Sequence, residues 1–112
     1  MPVVGFHASH EQMHPSALLA AVREAEQSGF TAAMCSDHIS PWSERQGHSA
    51  FAWSWLGAAL QATDLPFGVV NAPGQRYHPA VIAQAIGTLA AMYEGRFWVA
   101  LGTGENLSLI HI

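Results

Sequence analysis

Apolar residues occur in two kinds of stretch that take turns along the chain. Val3–Phe6, Thr31–Cys35, Pro66–Val70 and Phe97–Leu101 are runs of four or five positions bounded by polar or turn-forming residues. Runs of that length are too short for a helix and predict buried strands. Between them the apolar positions recur at helical spacing. Leu18, Leu19, Val22 and Ala25 make one such face, Phe51, Trp55, Ala58, Ala59 and Ala62 a second, and Ile82, Ala85, Ile86, Leu89 and Tyr93 a third. The third is the clearest amphipathic pattern. Pro15 and Pro79 suit the first turn of a helix, where a missing N–H costs nothing, and Gly29 and Gly95 stand where helices end. Strands therefore begin near residues 3, 31, 66 and 97 with a helix between each pair.

Alternating strands and helices at about 30 residues per unit imply a parallel sheet with right-handed crossovers. The fold class is α/β, and two architectures fit the pattern: an open doubly wound sheet or a (β/α)₈ barrel. A complete barrel takes about 250 residues. These 112 residues would supply three βα units and a fourth strand. Polar residues gather just after the strands: His7 and Ser9, then Asp37 and His38, then Asn71, then Thr103 and Glu105. Both architectures bind ligands at the carboxyl ends of their strands, so four consecutive strands deliver chemistry to one rim.

Composition narrows the partners. Half of the residues are hydrophobic and 11% are charged, so the chain is built to bury a core. Its basic residues are four arginines, and the net charge is −4 with no basic stripe, which disfavours nucleic acid and anionic membrane surfaces. No apolar run approaches the roughly 20 residues of a membrane span. The start has neither the charged segment nor the long apolar stretch of a signal peptide. A cytoplasmic setting is expected. Cys35, the single cysteine, falls in an apolar run and reads as a plain buried thiol.

Asp37-His38 directly after a strand is the sharpest local feature. A histidine there can pass a proton near neutral pH, and the carboxylate can hold a cofactor N–H or a hydroxyl. A turn aspartate with a surface histidine is the plain alternative. Gly102-Thr103-Gly104-Glu105 lets backbone come close to a ligand, yet it is neither a Walker loop nor the dinucleotide fingerprint. Glu105 is a candidate acid or base. Trp42, in the loop behind His38, suits covering a ring-shaped ligand, while packing on the barrel edge is the alternative. Trp53, Trp55 and Trp98 read as core or inter-helix packing. His7, His10 and His14 raise a metal site, and with it a barrel metallohydrolase as a rival function, but they lack the spacing of a helical zinc motif.

Taken together, several segments resemble the luciferase-like oxidoreductase superfamily, in its branch around the deazaflavin-dependent glucose-6-phosphate dehydrogenases. They are Gly5 to Gln12, Ser36-Asp37-His38 with Pro41-Trp42, Ser54-Trp55, Arg76 to Gln84, and Gly102 to Leu107. The resemblance implies the N-terminal part of a (β/α)₈ TIM barrel, with a flavin or deazaflavin ring at the carboxyl face and hydride transfer to or from a small-molecule substrate. With FMN, monooxygenase chemistry is also open. It implies His38 and Glu105 as proton-handling residues and Trp42 beside substrate and ring. Asp37, Thr103 and Gly104 would place the ring. It also implies a non-prolyl cis peptide near Val70-Asn71-Ala72. The departure lies in that third segment, where the threonine expected to face the cofactor appears as Ala72 or is replaced by Asn71. Both are therefore candidate cofactor-binding positions. The cofactor is expected to be FMN or 8-hydroxy-5-deazaflavin (coenzyme F420), with FMN favoured by that departure. A homodimer is expected of the full-length form. Residues 1–106 are expected to be a partial barrel domain and 107–112 a non-native tail of the kind a sequencing-adapter end encodes. The chain alone would then be a truncated product, inactive by itself.

Overall fold

Short runs rich in β-branched, small and aromatic residues pair well as extended chain when helices cover them, and the chain does this four times. A computed structural model describes residues 3–38, 47–72 and 77–102. Its elements are β1 (Gly5–Ala8), α1 (Pro15–Gln27), β2 (Ala32–Ser36), α2 (Ala52–Ala62), β3 (Phe67–Asn71), α3 (Pro79–Met92) and β4 (Phe97–Leu101). The strands form one parallel sheet in the order β1-β2-β3-β4. Consecutive parallel neighbours joined by helices are the N-terminal portion of a (β/α) barrel. A doubly wound sheet would instead reverse its strand order.

Strand alternation sorts the side chains onto two faces. Ala33 and Cys35 of β2 and Phe67 and Val69 of β3 are buried against the helices. There they meet Leu18 and Val22 of α1, Trp55, Leu56, Ala59 and Leu60 of α2, and Ile82 and Leu89 of α3. On the other face the register aligns His7, Met34, Gly68 and Trp98 in one row. Ser36, Val70 and Ala100 form the next row toward the carboxyl ends. Trp98 departs from its expected place in the core: it is 41% exposed and lies across Gly68.

Local capping explains the helix limits. His14 and His78 stand before Pro15 and Pro79, and each accepts from the backbone N–H two residues on, Ser16 at 3.1 Å and Ala80 at 3.0 Å. Such a histidine satisfies an orphan donor of the first turn, a task more often done by Ser, Thr, Asp or Asn. Gly29 (φ 105°) and Gly95 (φ 79°) follow α1 and α3 in the left-handed region, where a side chain would strain the backbone. Arg96 closes the far end of α2. Its guanidinium donates to the carbonyls of Leu60, Thr63 and Leu65 at 2.7–3.1 Å and lies over the Tyr93 ring.

α3 is less amphipathic than its spacing suggests. Ile82 and Leu89 are buried, but Val81 and Met92 are exposed, and no charged residue occurs from Pro79 to Met92. Among the described residues no peptide bond is cis, so Val70-Asn71-Ala72 is trans throughout, against the expectation. The sheet holds this segment with regular parallel pairing up to Asn71, and the Gly102 N–H continues the ladder to the Asn71 carbonyl at 2.8 Å. No helix among the described residues is long and apolar enough to cross a membrane. Trp42, Thr103, Gly104, Glu105 and the expected tail 107–112 lie outside the described residues.

The packing of Trp98 makes a test. A methyl group on Gly68 would overlap the indole. Gly68→Ala is therefore expected to cost about 1–3 kcal/mol, the usual range for overpacking. Adding Trp98→Ala should recover part of that loss, because the overlapping ring is gone. Urea denaturation midpoints of the single and double variants check it.

Candidate active site

The alternation that builds the core also divides the carboxyl rim into two polar groups. Ser9 and His38 continue the face turned away from the helices. Glu11, three residues beyond the end of β1, folds back between them and is buried. Its carboxylate takes the Ser9 hydroxyl at 3.0 Å and lies 2.5 Å from His38 Nδ1. His38 keeps 35% of its side-chain surface, whereas Glu11 keeps 6%. Burial pushes the Glu11 carboxyl up, but the bonds from His38, the backbone and Ser9 outweigh it and hold the group below the ordinary carboxylate range. An anionic Glu11 can only accept, so Nδ1 is the protonated ring nitrogen of the neutral histidine and Nε2 carries the lone pair. Two bonds tie the residues after the loop to this group: the His48 backbone N–H donates to the Glu11 backbone carbonyl at 3.2 Å, and Ser49 Oγ donates to the His38 carbonyl at 3.1 Å.

Asp37, one residue earlier, falls on the opposite side, in line with Ala33 and Cys35. One oxygen, Oδ2, accepts from Trp53 Nε1 at 3.0 Å, Asn71 Nδ2 at 2.7 Å and Tyr77 OH at 2.7 Å. The three donors come from α2, β3 and the residue pair leading into α3. A buried carboxylate without donors would cost several kcal/mol, and this one is well supplied. Asn71 is 2% exposed, and its Oδ1 has no partner among the described residues. Ala72 follows, half-buried.

His10 lies on the helix side above β1. It is 2% exposed and meets the Trp55 ring edge-on at 4.8 Å, with both ring nitrogens unpartnered among the described residues. Burial lowers its pKa below the ordinary 6.5, against the attraction of Glu11 and Asp37. The histidines considered for a metal are thus spread out: His10 on Trp55, His14 capping α1. No group of three or more metal-ligating side chains is gathered among the described residues. Cys35 is fully buried, and burial pushes its thiol up, as expected of an inert sulfur.

Of the residues singled out from sequence, the structure brings Asp37 and Asn71 together and sets His38 beside them on the other face. Glu11 and Tyr77 were missed. Both lie in the resembling segments, yet neither stands directly at a strand tip, which was the signal used. Trp53 was read as packing only, and its indole N–H is also a polar tie.

A parallel sheet with βα units and a polar, partly open rim at the strands' carboxyl ends is the N-terminal part of a (β/α) barrel, a fold whose ligand sites lie at that rim. The chain belongs to the luciferase-like monooxygenase family, which matches residues 1–108. It is 46% identical over 111 residues to an F420-dependent glucose-6-phosphate dehydrogenase of Intrasporangium calvum, covering 97% of this chain and 33% of that protein. It is 44% identical over 107 residues to an F420-dependent hydroxymycolic acid dehydrogenase of Mycobacterium tuberculosis, covering 94% of this chain and 30% of that one. Among solved structures, an F420-dependent secondary alcohol dehydrogenase holding an F420–acetone adduct superposes with a TM-score of 0.87 at 43% identity, over 92% of this chain and 32% of its own. An FMN-bound type II Baeyer–Villiger monooxygenase of Pseudomonas putida shares the fold at a TM-score of 0.73 and 23% identity. The chain spans about a third of the length of these relatives.

The environment of His10 sets a pH dependence. Its folded pKa lies below its ordinary 6.5, so between the two values the unfolded chain binds more protons and stability rises with pH. Going down, stability is lost once the pH falls below about 6.5. Glu11, also depressed, adds a second loss as the pH drops below its ordinary 4.5. His10→Phe is expected to remove the upper part of the decline and leave the lower part. Thermal unfolding of both proteins from pH 7 down to pH 4 measures this.

Proposed function

We propose that the protein is an oxidoreductase that moves hydride between a carbon of a small organic substrate and a flavin-type ring, F420 or FMN, bound across the carboxyl ends of the strands. The observation that carries the reading is the His38–Glu11 pair: a partly open histidine held through Nδ1 by a buried carboxylate, on the rim where barrels of this kind bind their ligands. The residues present fit a flat ring. Ser36, Val70 and Ala100, the row below the rim on the open face, are small or short. The names of relatives at 43–46% identity support the deazaflavin. The Asn71-Ala72 departure supports FMN.

When bound, such a ring supplies a two-electron acceptor or donor. The chain's residues supply the proton handling. His38, through Nε2, the ring nitrogen turned away from Glu11, takes the proton of a substrate hydroxyl while the carbinol carbon gives up hydride and the C–O bond becomes C=O. Glu11 holds the ring tautomer and steadies the imidazolium that forms, as the aspartate of a catalytic triad does. The reverse reaction returns the proton along the same path. Trp42 beside the substrate, Thr103 and Gly104 against the ring, and Glu105 as the second proton-handling group rest on the resemblance. A cytoplasmic, homodimeric intact protein belongs to the same proposal.

The test uses the intact protein with F420 and with FMN, titrated by fluorescence quenching. Turnover is then followed by the visible absorbance of the ring with secondary alcohols and sugar phosphates. His38→Ala is expected to leave ring affinity within about threefold and lower turnover by a factor on the order of 10²–10⁴. Glu11→Gln should lower it by roughly tenfold or more, with a shifted pH profile. Turnover at the wild-type level in His38→Ala would sink the assignment.

A further inference from the structure

A carboxylate that steadies a histidine must keep one oxygen turned to the ring. A glutamate outside a strand or helix, with a long side chain to immobilise, does not achieve this by burial alone. Glu11 belongs to the segment between β1 and α1. Part of its restraint is backbone: Gln12 N–H donates to the Ser9 carbonyl at 3.4 Å, closing a turn that brings Glu11 back over the end of β1. The side chain is then held at both oxygens. Oε1 lies 2.5 Å from His38 Nδ1, and Oε2 accepts from Ser9 Oγ at 3.0 Å. Glu11 is 5% exposed, so bulk water does not compete for Oε2. Ser9 is a firm place to hold it from. It follows directly on Ala8, the last residue of β1, which is paired with Cys35 of β2. His10, between the two in sequence, turns to the helix side against Trp55. A carboxylate with one oxygen on a hydroxyl carried by a strand end and the other on an imidazole has little freedom left to turn.

Resting on the reading of His38 as the proton-handling group, we propose that Ser9 is a positioning residue of the reaction: it pins Oε2 of Glu11, so that Oε1 stays on His38 Nδ1 and Nε2 stays turned to the substrate. The role needs no contact between Ser9 and substrate or cofactor, because it acts through Glu11. The direction of the bond follows from the groups. An anionic carboxylate only accepts, so the hydroxyl spends its one hydrogen on it. In the chain Ser9–Glu11–His38 the hydroxyl orients the carboxylate and the carboxylate orients the imidazole. Without the hydroxyl the carboxylate is free to turn. Neutral His38 then loses its preference for the Nδ1–H form, and a share of the molecules carries the proton on Nε2, where it cannot accept one from a substrate hydroxyl.

The intact protein is made as wild type, Ser9→Ala and Ser9→Thr, with histidine labelled at its ring nitrogens. Nitrogen NMR of the ring-free protein at neutral pH reads which nitrogen of His38 carries the proton; the His38 signals are those that His38→Ala removes. Wild type and Ser9→Thr, which keeps the hydroxyl, are expected in the Nδ1–H form, and Ser9→Ala as a mixture of the two tautomers. With F420 or FMN and an alcohol substrate, Ser9→Ala should lower kcat by about three- to tenfold and leave KM within about twofold, with Ser9→Thr restoring most of the loss. A serine that serves only the fold would change the melting temperature and leave the tautomer and kcat as they are. Retention of the Nδ1–H form in Ser9→Ala overturns the inference and leaves the oxidoreductase reading standing. A mixture as large in Ser9→Thr as in Ser9→Ala also overturns it, because the hydroxyl is then not what holds Glu11. Absence of turnover by the wild-type protein with either F420 or FMN overturns the underlying reading, and the inference with it.

Discussion

One carboxylate oxygen holds the upper part of this structure together. Asp37 Oδ2 gathers an indole N–H from α2, an amide from β3 and a phenol from the approach to α3. These bonds fix where α2 starts after the long loop, where β3 stops, and how the chain enters α3. The interaction is mutual: the donors make the buried carboxylate tolerable, and the carboxylate accepts from three polar groups on separate elements.

With that scaffold on the helix side, the opposite side of the rim is left for chemistry. Asp37 and His38 are neighbours in sequence, yet a strand sends successive side chains to opposite faces. Asp37 goes to the β/α layer and His38 to the open face, where Glu11 meets it from the segment after β1. A buried anchor and a partly open histidine can therefore sit one residue apart without sharing Glu11, Trp53, Asn71 or Tyr77 as a partner.

The relatives carry this frame into known redox enzymes, and the extent of likeness differs between them. At 43–46% identity the likeness covers nearly the whole chain and names deazaflavin dehydrogenases. At 23% it reaches an FMN enzyme through the fold alone. One βα frame thus serves two rings whose reactivity toward oxygen differs.

By itself the sequence determined the class of fold, the number and order of elements, and the rim. Short apolar runs, helical spacing, and prolines and glycines at the helix ends are local signals, and each acts within a few residues. The four strands and three helices follow from them to within about two residues at the ends. His38, Asp37 and Asn71 were legible for the same reason, since polar residues at a strand's end need no distant partner to be noticed. Tertiary structure alone decided what those residues touch. Glu11 and His38 are 27 positions apart, and Tyr77 and Asp37 40. No period in the chain links them, because such contacts depend on parallel strands being laid side by side in register. Trp98 shows the same limit from the other direction. Its apolar character suggested the core, but the pleat turns it to the open face, and only the absence of a side chain at Gly68, on the neighbouring strand, gives it a seat.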